Sequence, residues 1–225
     1  VSRLATCFRL HASRGHKGLL ALLGPNYRGI VTSDRLQTYS LLPDGQRQLC
    51  WAHLLRDIRA LEELYGSETG WPGEVLALAD DLFLLWQLYK GGWLERAQLQ
   101  QALIGIRLAL HKQLVVGVSS PYPKLATFSR ELLKHWEALF TFARLEGVEP
   151  TNNAAERALR HAVLWRKGSF GSRSEEGCRF VERLLSVRAT CVQQGRNLFD
   201  FLTEAVDAAW AGRSAPLLVQ VLQNP

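Results

Sequence analysis

Three apolar stripes of helical period, separated by helix breakers, limit what this chain can fold into more than any other feature. Val75, Ala79, Leu82, Trp86 and Tyr89 recur at three- and four-residue intervals. So do Leu99, Leu103, Ile106 and Leu110, and then Leu125, Phe128, Leu132, Trp136 and Leu139. Each set falls on one face of a helix. Gly91-Gly92 and the stretch from Ser119 to Pro123 divide the three. A run of this kind from Glu74 to Glu146 predicts helices packed on one another or against a neighbouring sheet. Its aromatic residues, including Trp86, Trp93 and Trp136, are expected in the core rather than as platforms for stacked bases.

The sequence ahead of this run reads differently. Arg3 to His11 is rich in β-favouring residues and predicts a strand. His16 to Leu23 predicts a short helix, ended by Gly24-Pro25-Asn26. Gly29 to Ser33 predicts a short buried strand with Asp34 at its carboxyl end, and Arg47 to Trp51 a second. The helix that follows carries Leu54, Ile58, Leu61 and Tyr65 at helical spacing. This order of elements predicts an α/β sheet with functional groups at its strand ends.

The last third is helical and more basic. One helix is expected from Thr151 to about Lys167, then a turn at Gly168 to Ser172. A second helix, capped by Ser174 and ended by Gly195, carries Phe180, Leu184, Val187 and Cys191 on its apolar face. Asn197 and Asp200 frame the start of a third. The expected organisation is a core segment over residues 1–65, a helical insertion over 66–148, core helices over 149–212 and a tail over 213–225.

Composition removes several classes. Hydrophobic residues make up 47% of the 225 and charged residues 21%, which excludes a disordered chain. The longest apolar stretch, Val75 to Tyr89, is interrupted by Asp80 and Asp81, so no spanning helix is expected. Val1 to Leu10 has no uninterrupted apolar run, so no signal peptide is expected there, and four scattered cysteines suggest no disulfide framework; the expected setting is a reduced cytoplasm. A net charge of +6 favours a polyanionic partner. The absence of methionine and the strand-like opening at Val1 suggest a fragment of a longer protein.

Three places carry chemistry. Asp34, after a short buried strand, suits either a hard cation or the cap of the helix-like Leu36 to Leu41. Glu156 suits either a capping box with Asn153, an i,i+4 pair with Arg160, or a metal ligand beside phosphate-binding cations. Arg157, Arg160, Arg166, Lys167 and Arg173 all follow it closely. Cys50 and His53 have a zinc-compatible spacing, but a structural zinc site needs four ligands and no second pair exists. Cys50 is therefore expected buried at a strand end, with His53 in the first helical turn. No Walker lysine loop, dinucleotide glycine fingerprint or nucleophile elbow occurs.

Ser33-Asp34-Arg35 with Tyr39, and the run from Arg47 through Cys50-Trp51-Ala52-His53 to Asp57, resemble the middle of insertion-sequence-66 family transposases. The stretch Thr151-Asn152-Asn153-Ala154-Ala155-Glu156-Arg157-Ala158-Leu159-Arg160 resembles their most specific motif. The likeness continues through Trp165-Arg166-Lys167, Ser172-Arg173-Ser174-Glu175 and Cys191 to Arg196, and covers nearly the whole chain apart from the tail.

The resemblance implies a ribonuclease-H-like core of the DDE type with a mainly α-helical insertion and C-terminal helices. In such enzymes two Asp and one Glu hold two Mg²⁺ or Mn²⁺ ions that promote in-line attack on a DNA phosphate. It assigns Asp34 as the second acidic residue, Glu156 as the third, and Cys50 and His53 to a supporting role. Arg157, Arg160, Arg166, Lys167 and Arg173 become contacts to DNA, both element ends and target. Homo-oligomers, accessory proteins of the element and a bacterial source are further implications. The segment bearing the first Asp has no counterpart here, so the core is expected to lack its first two strands and the chain alone to be inactive in strand cleavage. The alternative is a non-catalytic DNA-binding or dimerisation remnant of a transposase.

Overall fold

A computed structural model describes residues 1, 2 and 4–219. In chain order it contains α1 (His16–Leu23), β1 (Val31–Ser33), β2 (Arg47–Leu49), α2 (Trp51–Tyr65), α3 (Trp71–Lys90), α4 (Arg96–Val118), α5 (Pro123–Lys134), α6 (Thr141–Arg144), α7 (Asn153–Ser169), α8 (Glu175–Gln193) and α9 (Leu198–Trp210). Short 3-10 turns lie at Gln37–Leu41, Asp44–Gln46 and Trp136–Leu139. The described residues are mainly helical, with one two-stranded parallel sheet. The chain divides into two compact units, one of residues 28–152 and one of residues 1–27 with 153–225.

The first unit holds the larger core. The stripes on α3, α4 and α5 lie where their periods predict. Val75, Leu82, Trp86, Leu99, Leu103, Leu110, Leu125, Phe128 and Leu132 are buried, with Leu54, Ile58 and Leu61 of α2. Tyr89, Ile106 and Trp136 are partly buried against them. Pro72 and Pro123 start α3 and α5, where a missing amide hydrogen costs nothing. A reciprocal capping box between Glu95 and Gln98 starts α4. Gly117 lets α4 approach α5 closely, because a β-carbon there would sit on the Ser129 side chain and against the Trp71 indole.

Trp93 departs from expectation, being 80% exposed. The reason is local: α3 ends at Lys90, and the indole folds over the turn at Gly91 instead of continuing the apolar face.

The sheet pairs Val31 with Arg47, Thr32 with Gln48 and Ser33 with Leu49. β2 is buried throughout. Its Gln48 side chain is a polar clasp in the core. The amide nitrogen donates to the Leu49 carbonyl at 2.7 Å and the Leu139 carbonyl at 3.1 Å, and the amide oxygen accepts from the Phe142 N–H at 2.7 Å. Trp51 Nε1 also donates to Leu139, at 2.8 Å, and Thr141 Oγ1 donates to the Arg47 carbonyl. The strand is thus tied to the segment leading into α6. Gln48→Leu leaves the Phe142 N–H buried without its acceptor, and is expected to cost about 1–3 kcal/mol of unfolding free energy in a urea titration.

The second unit is built on a different device. Arg3 to His11, expected as a strand, forms no strand among its described residues, and Arg3 itself lies outside them. The segment is extended, but it pairs with side chains of a helix. The N–H groups of Thr6, Phe8 and Leu10 donate to Thr190 Oγ1 at 3.1 Å, Ser186 Oγ at 2.9 Å and Glu182 Oε1 at 2.5 Å. Acceptors four residues apart on α8 match donors two residues apart on extended backbone, because both repeats are roughly 6–7 Å long.

This pairing turns α8 over. Its buried positions include Val181, Glu182, Thr190 and Cys191, whereas Phe180, expected in the core, is 65% exposed and Leu184 is exposed. Glu182 is 5% exposed and also meets Arg9 at 3.2 Å and Arg179 at 2.9 Å. Ser174 caps α8 by accepting from the Gly177 N–H, Gly195 follows its end with φ of 65°, and the Asn197 side chain caps α9. The tail from residue 213 has no helix or strand through residue 219, and residues 220–225 lie outside the described residues.

Candidate functional site

In the unit of residues 28–152, the end of β1 presents Asp34. Ser33 is buried in the sheet and Asp34 is half-buried just beyond it. One carboxylate oxygen, Oδ1, accepts the Leu36 N–H at 3.0 Å, just ahead of the 3-10 turn at Gln37. That turn has Leu36 as its N-cap and no side-chain cap bond, so Asp34 makes a local turn rather than a helix cap, and a carboxylate retains lone pairs for a further partner.

Arg35, to which sequence reasoning gave no role, fixes this corner. Its guanidinium donates to Asp57 of α2 at 2.6 Å and to Glu131 of α5 at 2.8 Å, and lies 4.7 Å over the Phe128 ring. Arg47 is a second residue without an assigned role, and it is 2% exposed. Burial pushes its pKa below the usual arginine value, and the negative charges of Asp44 and Asp34 oppose that fall. Burial also pushes the Tyr39 hydroxyl up, and the charge of Asp34 adds to the rise. Asp44 in turn meets His135 Nδ1 at 2.8 Å. Arg47 sits in a run that reads as a short strand, which by itself gave no sign that its charge would be buried.

Cys50 is 1% exposed at the end of β2, as expected. Its thiol donates to Asn152 Oδ1 at 2.9 Å, and the Asn152 N–H points to the sulfur at 3.3 Å. The Trp51 N–H donates to the Pro150 carbonyl at 3.0 Å. Residues 150–152 are thereby stitched to the start of α2, and Asn152 is a residue that sequence reasoning left without a part. His53 lies half-buried in the first turn of α2.

In the unit of residues 1–27 and 153–225, α7 has no buried residue. Glu156 is in its first turn, where a carboxylate suits the positive end of the helix dipole. The helix starts at Asn153 itself, so Asn153 is its first residue rather than its cap. Glu156, Arg160 and Lys167 share a face with Leu159, Val163 and Leu164. Arg157, Arg160, Arg166 and Lys167 are all exposed on this helix, and Arg173 is exposed in the turn after it.

Charge divides unevenly between the units. Residues 1–27 and 153–225 hold fourteen Lys and Arg against seven Asp and Glu, and residues 28–152 hold thirteen against fourteen. The whole excess of +6 thus resides in the unit that contains α7 and α8. Among the described residues no helix is long and apolar enough to cross a membrane.

Residues 2–180 match the model of the Transposase IS66 family, well over half of the chain. The uncharacterized protein y4qI of Sinorhizobium fredii (strain NBRC 101917 / NGR234) is 28% identical over 214 residues, an alignment covering 91% of this chain and 38% of that protein. The chain therefore spans well under half the length of that curated relative. No solved structure matches it. With the motif from Thr151 to Arg160, the Asp34 and Cys50 to Asp57 segments all inside the matched residues, the chain belongs to the IS66 family of transposases.

Proposed function

We propose that this chain is part of a DNA transposase that cleaves and joins strands at the ends of an insertion sequence, acting in the bacterial cytoplasm. The observation that carries this reading is the segregation of positive charge. A unit with twice as many cations as anions, four of them exposed on one helix, is suited to DNA phosphates and not to a neutral ligand. The ribonuclease-H-like core is part of the proposal: the short parallel β1–β2 pair with an acidic residue at its carboxyl end is the portion that supports it.

Asp34 and Glu156 are its acidic metal ligands. The donor chemistry fits Mg²⁺ or Mn²⁺, since both offer carboxylate oxygens and Asp34 keeps acceptor capacity beyond its bond to Leu36. Cys50, whose sulfur is engaged by Asn152, serves the architecture, and His53 shares that supporting part. Bound divalent ions would supply Lewis-acid stabilisation of charge at phosphorus. The residues of this chain position: Arg35 pins the Asp34 corner, and Arg157, Arg160, Arg166, Lys167 and Arg173 hold the DNA backbone without reading its sequence.

The test is Mn²⁺ binding to the full chain by electron paramagnetic resonance. Asp34→Asn and Glu156→Gln are each expected to weaken binding about tenfold or more while the helical circular-dichroism signal is kept. Unchanged Mn²⁺ affinity in both variants would remove these residues from the metal site. A second reading, a non-catalytic DNA-binding remnant, predicts DNA binding without any effect of these two substitutions on Mn²⁺.

A further inference from the structure

Phe170 is the most exposed large apolar side chain among the described residues. It is 92% exposed, and its φ is 58°, the one positive value recorded outside glycine among the described residues. A bulky residue in the left-handed region is a conformational outlier. A left-handed residue just past a helix end is a common helix closure, but glycine or asparagine is its usual occupant and a phenylalanine is not. α7 ends at Ser169, and Gly171, with φ of 79°, already supplies a left-handed residue without penalty. Neither burial nor turn geometry accounts for an aromatic ring here.

The surroundings are cationic. Arg166 and Lys167 are exposed just before the turn and Arg173 just after it. The Arg166 side chain runs beside Gly171, its Cγ 3.7 Å from where a β-carbon on that glycine would stand. The exposed ring therefore belongs to a turn between two helices, in the positively charged unit, with cationic residues before and after it in the chain. Phosphate-binding cations around a solvent-facing aromatic ring suit a nucleic-acid strand whose bases are free to stack on protein. Trp93 makes a useful contrast: it is also largely solvent-facing, but it stands in the unit with no positive excess and folds back over its own Gly91.

From this we infer that Phe170 is a stacking residue for an unpaired DNA base, with Arg166, Lys167 and Arg173 holding the flanking phosphates. The ligand class is DNA with a single-stranded end or an unstacked base, and duplex without one gains nothing from the ring. The inference rests on the DNA-binding reading above and extends it to a residue and a DNA form that the family motifs do not single out.

The test compares a duplex bearing a single-stranded overhang with the same duplex made blunt, using the full chain. A 2-aminopurine in the overhang reports stacking by its quenching. Phe170→Asn is expected to weaken overhang binding about tenfold and abolish the quenching, with blunt-duplex binding and its salt dependence unchanged. Because Asn adopts the left-handed region more readily, its thermal midpoint should be unchanged or raised, which a packing role for Phe170 would not allow. Phe170→Trp should retain overhang binding, and Trp93→Ala should bind as the wild type does. Equal overhang affinity for the wild type and Phe170→Asn, with DNA binding intact, overturns the assignment of Phe170 alone. Absence of any salt-sensitive DNA binding by the wild type overturns the underlying DNA reading as well.

Discussion

Glu182→Ala is expected to produce a large loss of stability in the unit that holds α7 to α9. The carboxylate is buried at 5% exposure and accepts from the Leu10 backbone, Arg9 and Arg179. It anchors one end of the extended N-terminal segment on α8. Removing it leaves the Leu10 N–H without its acceptor and releases two arginines to water. The arginines keep about a third of their surface in solvent already, so their loss counts for less than that of a fully buried pair. A cost of about 3 kcal/mol follows from charged, buried hydrogen bonds of this kind.

The same carboxylate makes that stability depend on pH. Burial alone would raise its pKa, but the hydrogen bonds from Arg179 and Leu10 and the charges of Arg179 and Arg9 outweigh burial and hold it below the ordinary glutamate value. A depressed folded-state pKa contributes stability in full above the unfolded value, about 4.3, and loses it as the pH falls through the folded value. Urea titrations of wild type and Glu182→Gln at pH 7, 5 and 3 should therefore show a gap that is widest at pH 7 and narrows by pH 3. Curves that stay parallel across the range would show that Glu182 does not carry this linkage.

Replacing Arg157, Arg160, Lys167 and Arg173 together by alanine is the second large effect expected, now on affinity. Each lost phosphate contact removes about 0.9 from the slope of log affinity against log salt. Four contacts correspond to a fall in slope of about 3–4, with binding at moderate salt weakened on the order of a hundredfold or more. These side chains are exposed on a helix with no buried residue, so the fold should survive the change. The matching control replaces Lys112, Lys124, Arg130 and Lys134, exposed cations of the other unit, and is expected to leave slope and affinity as they were.

How far the fold could be read from the sequence depended on what covers each face. The stripes on α3, α4 and α5 were legible because they are long, periodic and matched by apolar partners within the same unit. α8 was not, and the reason is instructive. Periodicity located its apolar face at Phe180, Leu184, Val187 and Cys191, and of these Cys191 is buried and Val187 partly so. Phe180 and Leu184 are exposed, because backbone amides of residues 6, 8 and 10 cover the side that carries Glu182, Ser186 and Thr190. The β-favouring composition from Arg3 to His11 pointed to a strand, and none forms among its described residues. It could not foretell that the pairing partner would be a helix and not a strand.

The site shows the same division. Asp34 after a buried strand, Cys50 at a strand end and the cations from Arg157 to Arg173 were legible, since each rests on local chain order or on simple polarity. Arg35 bridging α2 and α5, Arg47 buried near two carboxylates, and Asn152 holding the Cys50 sulfur were not. Each depends on groups brought together from distant parts of the sequence, and residue type alone gives no sign of them.

The most direct measurement of the central claim is the affinity of the full, unaltered chain for a generic duplex, by fluorescence anisotropy, across a series of salt concentrations. Binding through the charged unit predicts a linear fall of log affinity with log salt, with a slope of about −4 or steeper. Affinity that does not change with salt, or no binding at low salt, would contradict the assignment of this unit to DNA.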